Sequence, residues 1–114
     1  MIIKKFEEII SWQKSKELIL LIYKLFGKNR DFSFVDQIKR ASVSISNNIA
    51  EGFERGGNKE FIHFLYIAKS SCGEVRSMSF VALELKYISK DEFEKINELS
   101  KEISRLISGL IKTL

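Results

Sequence analysis

Two stretches of the chain carry residue types from which metal and catalytic sites are built. Glu60 and His63 have the Glu-x-x-His spacing that places two metal ligands on one side of a helix, as in di-iron bundle proteins. Such a centre needs two of these pairs and two more carboxylates, but His63 is the only histidine. We therefore expect no metal and no other cofactor. An enzyme or metalloprotein using Glu51, Glu60, His63 and Glu74 is the alternative.

The single cysteine and the paired glycines indicate catalysis or nucleotide binding only weakly. Cys72 lies in a short run of serine and glycine, and we expect it to pack as a small apolar side chain. Gly56-Gly57 lacks the preceding strand and the Lys-Ser/Thr ending of a nucleotide-binding loop, although the following helix start would suit a weakly held anion. We predict no catalytic residue and expect the chain not to be an enzyme.

Four helices must position these residues, because apolar side chains recur at three- and four-residue steps in four blocks. The predicted helices span about residues 11–28, 34–55, 59–87 and 90–112. Ser33 and Asn58 are the expected N-caps of the second and third helices, and Gly56-Gly57 is expected to end the second. Ser89 and Glu92 have capping-box spacing at the start of the fourth.

Length and composition agree with an all-α protein. The 114 residues include no proline, and 45% are apolar and 30% charged. Short joints between four helices favour one domain, an up-and-down antiparallel four-helix bundle.

The positive charge of the chain is local. The net charge is +4, and residues 1–30 account for all of it, with seven Lys or Arg against three Glu. Such an excess attracts phosphate or an acidic partner, while the plainer interpretation is a solvated helix face. If the ligand is RNA or DNA, we expect its phosphates to contact Lys14, Lys16, Lys24, Lys28 and Lys39.

A row of polar residues follows one side of the second helix, and a second row follows the third helix. The first row contains Gln37, Arg40, Asn48, Glu51 and Arg55, and the second contains Glu60 and Glu74. Facing each other across an antiparallel pair, the two rows would form a polar network that sets helix register or subunit assembly. A ligand site is the alternative interpretation.

Two stretches carry more apolar surface than a four-helix core requires. They are Leu18–Phe26 and Phe61–Ala68, which predict a homo-oligomer built through the first and third helices. No apolar run approaches the roughly 18 residues of a membrane span, so we expect no membrane partner. The lone cysteine and an amino terminus unlike a signal peptide predict the cytoplasm.

The order and spacing of several short motifs resemble the four-helix bundle proteins encoded in intervening sequences of bacterial 23S rRNA genes. The resemblance covers about residues 6–88. It depends on Trp12-Gln13, Gln37 with Arg40-Ala41, Ser44–Gly52, Glu60-Phe61, and Ser71 with Glu74. Ser46 departs from the family pattern, in which proline is usual at this position.

This resemblance implies a ring-shaped homopentamer whose function is not firmly established. The chain is more distantly similar to the accessory protein of diversity-generating retroelements, which implies nucleic-acid binding together with a reverse transcriptase. Our leading hypothesis is a non-enzymatic homo-oligomer that binds RNA or DNA through its basic surface. The alternative is a protein–protein adaptor or scaffold that makes no direct contact with nucleic acid.

Overall fold

Residues 2–114 form four long α-helices. A computed structural model describes residues 2–114, and within that range there is no β-strand. The helices are α1 (Ile10–Phe26), α2 (Phe32–Glu54), α3 (Asn58–Glu84) and α4 (Lys90–Lys112), and a short 3-10 helix, Phe6–Glu8, precedes α1. The expected lack of a signal peptide also involves Met1, which lies outside the described residues.

The helices pack side by side into an elongated bundle of 43 × 22 × 19 Å. Each helix contacts the next along the chain, and α1 closes the bundle against α4, so that α1 and α3 are diagonal. Short loops make consecutive helices antiparallel. The four helices confirm the all-α prediction. No helix within residues 2–114 is long and apolar enough to cross a membrane.

The capping signals were only partly correct. The capping box of Ser89 and Glu92 is confirmed, because both of its hydrogen bonds form. The predicted caps Ser33 and Asn58 are wrong, since Asp31 caps α2 through Phe34 N–H and Gly57 is the N-cap of α3. Asp31 takes this role because Asn29 and Tyr87 also hydrogen-bond to it and hold it in place.

The third helix ends three residues earlier than the predicted end at residue 87. Lys86 has a φ of 62°, and its N–H bonds to the Leu83 carbonyl while Tyr87 N–H bonds to the Ala82 carbonyl. This pair of bonds is a Schellman motif. The sequence did not reveal it because lysine occupies the left-handed position that glycine usually takes. Gly56, with a φ of 87°, follows the second helix as expected.

The core combines large aliphatic side chains with small serines. Fully buried residues include Leu18, Ile22, Phe26, Ile38, Ile45, Ile49, Leu65, Ile96, Ile103 and Ile107. Ser15, Ser42, Ser46 and Ser79 are also buried, and each hydroxyl donates to the carbonyl three residues earlier in its own helix. Serine at these positions fills little space without leaving its hydroxyl unpaired.

Gly52 allows a close approach between α2 and α3. A methyl group on its Cα would lie 2.6 Å from Phe64 Cβ and 3.1 Å from Phe61 Cδ1. Any larger residue therefore requires one of the two helices to move. This contact sets the separation of the two helices that carry the predicted polar rows.

Candidate functional site

The polar rows of α2 and α3 meet at two points along the helix pair. Gln37 Nε2 donates to Glu74 Oε2 at 2.5 Å near one end. At the other end, Arg55 Nη1 lies 3.6 Å from Glu60 Oε2. Arg55 also bonds to Glu51 at 2.7 Å within α2. These contacts follow the antiparallel register, because positions early in α2 meet positions late in α3.

A serine pair, with Ser71 buried and Ser44 half-buried, connects the same helices at the middle of the row. Ser71 Oγ donates to Ser44 Oγ at 3.0 Å, and Asn48 Nδ2 donates to the Ser44 carbonyl and hydroxyl at 2.8 and 3.0 Å. Asn48 therefore acts through Ser44 and does not contact α3 directly in these bonds. Residue types alone did not indicate this pair, because serine is common in helices and its partner is 27 positions away.

Arg40 does not join the other members of the predicted row. It lines a shallow cavity of about 330 Å³ together with Tyr23, Asp36 and Lys39, towards α1. Helical spacing placed Arg40 near the polar side of α2, but within residues 2–114 it forms no ion pair with Glu60 or Glu74 of α3. The contacts of the remaining members suit the setting of helix register.

The five predicted phosphate-binding lysines are spread over α1, the following loop and α2. Lys16, Lys24 and Lys28 are exposed, while Lys14 and Lys39 are half-buried. Lys28 lies beyond the end of α1 at Phe26, and not on the helix as predicted. Among the described residues, Lys14 alone of the five has a carboxylate within 4.0 Å, Glu17 at 3.6 Å.

Two of these lysines lie over aromatic rings. Lys16 Nζ is 5.5 Å from the centroid of the Trp12 ring, and Lys39 Nζ is 4.6 Å from the centroid of the Tyr23 ring. Tyr23 is 45% exposed. The four-residue spacing of Trp12 and Lys16 indicated the first pair in principle. The second joins two helices and only the fold brings it together.

The candidate metal and nucleophile residues do not converge. Glu60 is paired with Arg55, and His63 is exposed with its ring against the edge of Phe64. Within residues 2–114 no group of three His, Cys, Asp or Glu side chains is arranged to hold a metal ion. Burial raises the pKa of the Cys72 thiol to about 12, so the reactive thiolate is scarce at neutral pH.

The outer face of α3 exposes apolar side chains. Tyr66, Ile67, Phe80, Val81 and Leu85 are each between 37% and 55% exposed. Tyr66 and Ile67 form one apolar group, and Phe80, Val81 and Leu85 form a second. Between the two groups lie three exposed small residues, Ser70, Gly73 and Ser77. On the opposite helix of the bundle, Leu20 of α1 is 64% exposed. Small residues flanked by apolar ones form a surface against which another helix packs closely.

Two adjoining cavities lie at the end of the bundle where α4 finishes. They have volumes of about 350 and 360 Å³ and share Ile3, Leu110 and Thr113 in their walls. Ser11 lines the second cavity, and its buried hydroxyl has no hydrogen-bond partner in the described part of the chain. Of the two cavities, the second offers a ligand mainly apolar contacts.

Comparison with known proteins identifies the family. Residues 7–109 match the family model for the 23S rRNA-intervening sequence protein. The fold is similar to the crystal structure of a protein of unknown function from the S23 ribosomal protein family of Bacteroides thetaiotaomicron, with a TM-score of 0.83 and 30% identity. That alignment covers 90% of this chain and 98% of the other. No curated protein matches the chain. Because the family model spans most of its length, the chain belongs to the 23S rRNA-intervening sequence protein family.

Proposed function

We propose that the chain is a non-enzymatic, self-associating four-helix protein that binds RNA or DNA through the basic surface of α1 and its neighbours. The observation that carries the proposal is the set of lysines on this surface without a carboxylate partner. In the described residues, Lys16, Lys24, Lys28 and Lys39 have no Asp or Glu within 4.0 Å. Their charge is therefore available to phosphates.

Self-association of the chain would strengthen its binding to nucleic acid. The exposed apolar groups on α3, with Gly73 among them, offer a surface for a second copy. Several copies would repeat the local excess of four positive charges, so phosphate contacts would add along one nucleic-acid strand. The homopentameric ring implied by the family resemblance is the assembly that we propose.

Fluorescence anisotropy with labelled RNA and DNA, at low and moderate salt, tests nucleic-acid binding. The combined variant Lys16→Ala, Lys24→Ala and Lys28→Ala is expected to weaken binding. It should also reduce the slope of log affinity against log salt by about 2, at roughly 0.7 per lost contact to a single strand. The matched control replaces three exposed lysines elsewhere, Lys59, Lys90 and Lys95.

The control has the same net charge as the test variant, so it separates a local surface from total charge. Equal losses in both variants would contradict a binding surface on α1. Absence of binding even at low salt would reject the proposal. Co-purification of a protein partner that stays bound after nuclease treatment would then favour the adaptor, for example one that engages a reverse transcriptase.

Light scattering at micromolar concentration tests self-association. Gly73→Arg is expected to dissociate the assembly, whereas Gly109→Arg on α4 leaves it intact. Both glycines have open space beyond their Cα, so both variants are expected to fold. A wild-type monomer, or equal effects of the two substitutions, would contradict assembly through α3.

A further inference from the structure

The two lysine–aromatic pairs lie on one side of α1. Trp12, Lys16 and Tyr23 are separated by four and seven residues, which places them in line along a helix. The contact of Tyr23 with Lys39 of α2 shows that this side faces the groove between α1 and α2. At about 1.5 Å per residue, the Trp12 and Tyr23 positions are about 16 Å apart along the helix axis.

Positive charge predominates along this groove. Lys16 and Lys39 contribute one charge over each ring, and Arg40 lies beside Tyr23 in the shallow cavity. Asp36 is the one acidic residue lining that cavity. Within residues 2–114, no carboxylate lies within 4.0 Å of these three cations. The groove therefore combines aromatic surface with cations that are not neutralised by an adjacent carboxylate.

This combination distinguishes single strands from duplexes. The bases of a single strand expose their faces and stack on aromatic side chains, whereas the bases of a duplex are already stacked on one another. Cations beside the rings then contact the phosphates that connect the stacked bases. A surface that recognised duplex phosphates alone would need the cations and not the rings.

We propose that the groove between α1 and α2 binds single-stranded nucleic acid, with bases stacked at Tyr23 and Trp12 and phosphates held by Lys16, Lys39 and Arg40. This inference rests on the proposed function and specifies its ligand. When a strand binds, each lysine moves from the ring to a phosphate and a base takes its place. At the 3.4 Å per nucleotide of a stacked strand, a distance of 16 Å covers about five nucleotides.

The test uses the intrinsic fluorescence of Trp12, the only tryptophan, and anisotropy of labelled oligonucleotides. Twelve-nucleotide oligo(dT) and oligo(rU) are compared with a duplex of the same length in low salt. Single strands are expected to bind more tightly than the duplex and to quench Trp12. Tighter binding of either sugar type supports the proposal and identifies the preferred backbone.

Substitutions at Tyr23 separate stacking from charge. Tyr23→Ala is expected to lower single-strand affinity about 5- to 160-fold with little effect on the duplex, while Tyr23→Phe retains the ring and the affinity. Phe32→Ala, at an exposed aromatic residue that does not line the cavity beside Tyr23, is the control and is expected to leave single-strand affinity unchanged. Lys39→Ala should reduce the salt slope by about 0.7.

The outcomes distinguish the two proposals. Equal binding of single strands and duplex, with no effect of Tyr23→Ala, would overturn the single-strand inference and leave nucleic-acid binding intact. No binding of either form at low salt would overturn both. Circular dichroism of each variant checks that the helices are retained.

Discussion

Replacement of Gly52 by alanine tests the close contact between α2 and α3. The added methyl would lie 2.6 Å from Phe64 Cβ, whereas carbon atoms in contact are normally about 3.5–4.0 Å apart. Phe64 Cβ is bonded to the backbone, so no side-chain rotation relieves the overlap. Relief requires α2 and α3 to separate, and overpacking of this kind typically costs about 1–3 kcal/mol.

The same substitution also gains helix propensity, and the net effect is the difference between the two contributions. Alanine is favoured over glycine by up to about 1 kcal/mol in a helix interior. Gly109→Ala is the matched control, because no atom lies within 4 Å of the added methyl. We expect Gly109→Ala to stabilise the fold by up to about 1 kcal/mol and Gly52→Ala to be about 1–3 kcal/mol less stable than that control.

Urea unfolding followed by circular dichroism at one fixed chain concentration measures both values, since stability depends on concentration in any oligomer. A shift of midpoint without a change of slope reports stability alone. Equal stabilisation by the two substitutions would refute the close contact between α2 and α3.

Three further predictions follow from local contacts. Tyr87→Phe, which removes the 2.6 Å bond to Asp31, should lower the urea midpoint at neutral pH, and a smaller loss at pH 3 is expected. The Tyr87 bond lowers the pKa of Asp31 in the folded protein below its usual 3.8. The stabilisation of the fold by this bond is therefore complete above pH 3.8 and is lost as the pH falls through the pKa of Asp31 in the folded protein. An equal loss of stability at both pH values would contradict this linkage. Lys86→Gly should raise stability by about 1 kcal/mol in the same assay because glycine adopts the observed φ of 62° without strain, and a decrease would argue against the Schellman turn. Burial raises the pKa of the Cys72 thiol to about 12. Cys72 should therefore resist alkylation by iodoacetamide at pH 8 and react once urea unfolds the chain. Rapid reaction of the folded protein would show that Cys72 is not buried.

Sequence periodicity predicted the helices more accurately than their ends. Apolar spacing located all four helices, and the capping box located the start of α4. The starts of α2 and α3 were misplaced, because a cap is chosen by contacts beyond the local sequence. At Asp31, the deciding contact is the hydroxyl of Tyr87, 56 positions away.

For the candidate site too, the sequence located regions of the chain more accurately than individual contacts. Composition and charge located the basic surface near the amino terminus, and helical spacing indicated the polar rows of α2 and α3. Arg40 was assigned to the row facing α3, and in the structure it lines a cavity beside Tyr23 of α1. Whether a residue at the edge of a face meets one helix or the next depends on how the helices pack.

The sequence by itself determined the all-α class, the number of helices and the family, since these follow from periodicity and from the order of short motifs along the chain. Only the tertiary structure decided which side chains meet between helices: Ser44 with Ser71, Gly52 with Phe64, and Tyr23 with Lys39. Periodicity specifies the side of a helix that is buried. The register and separation of two helices come from close packing over their whole length, and no local pattern records them.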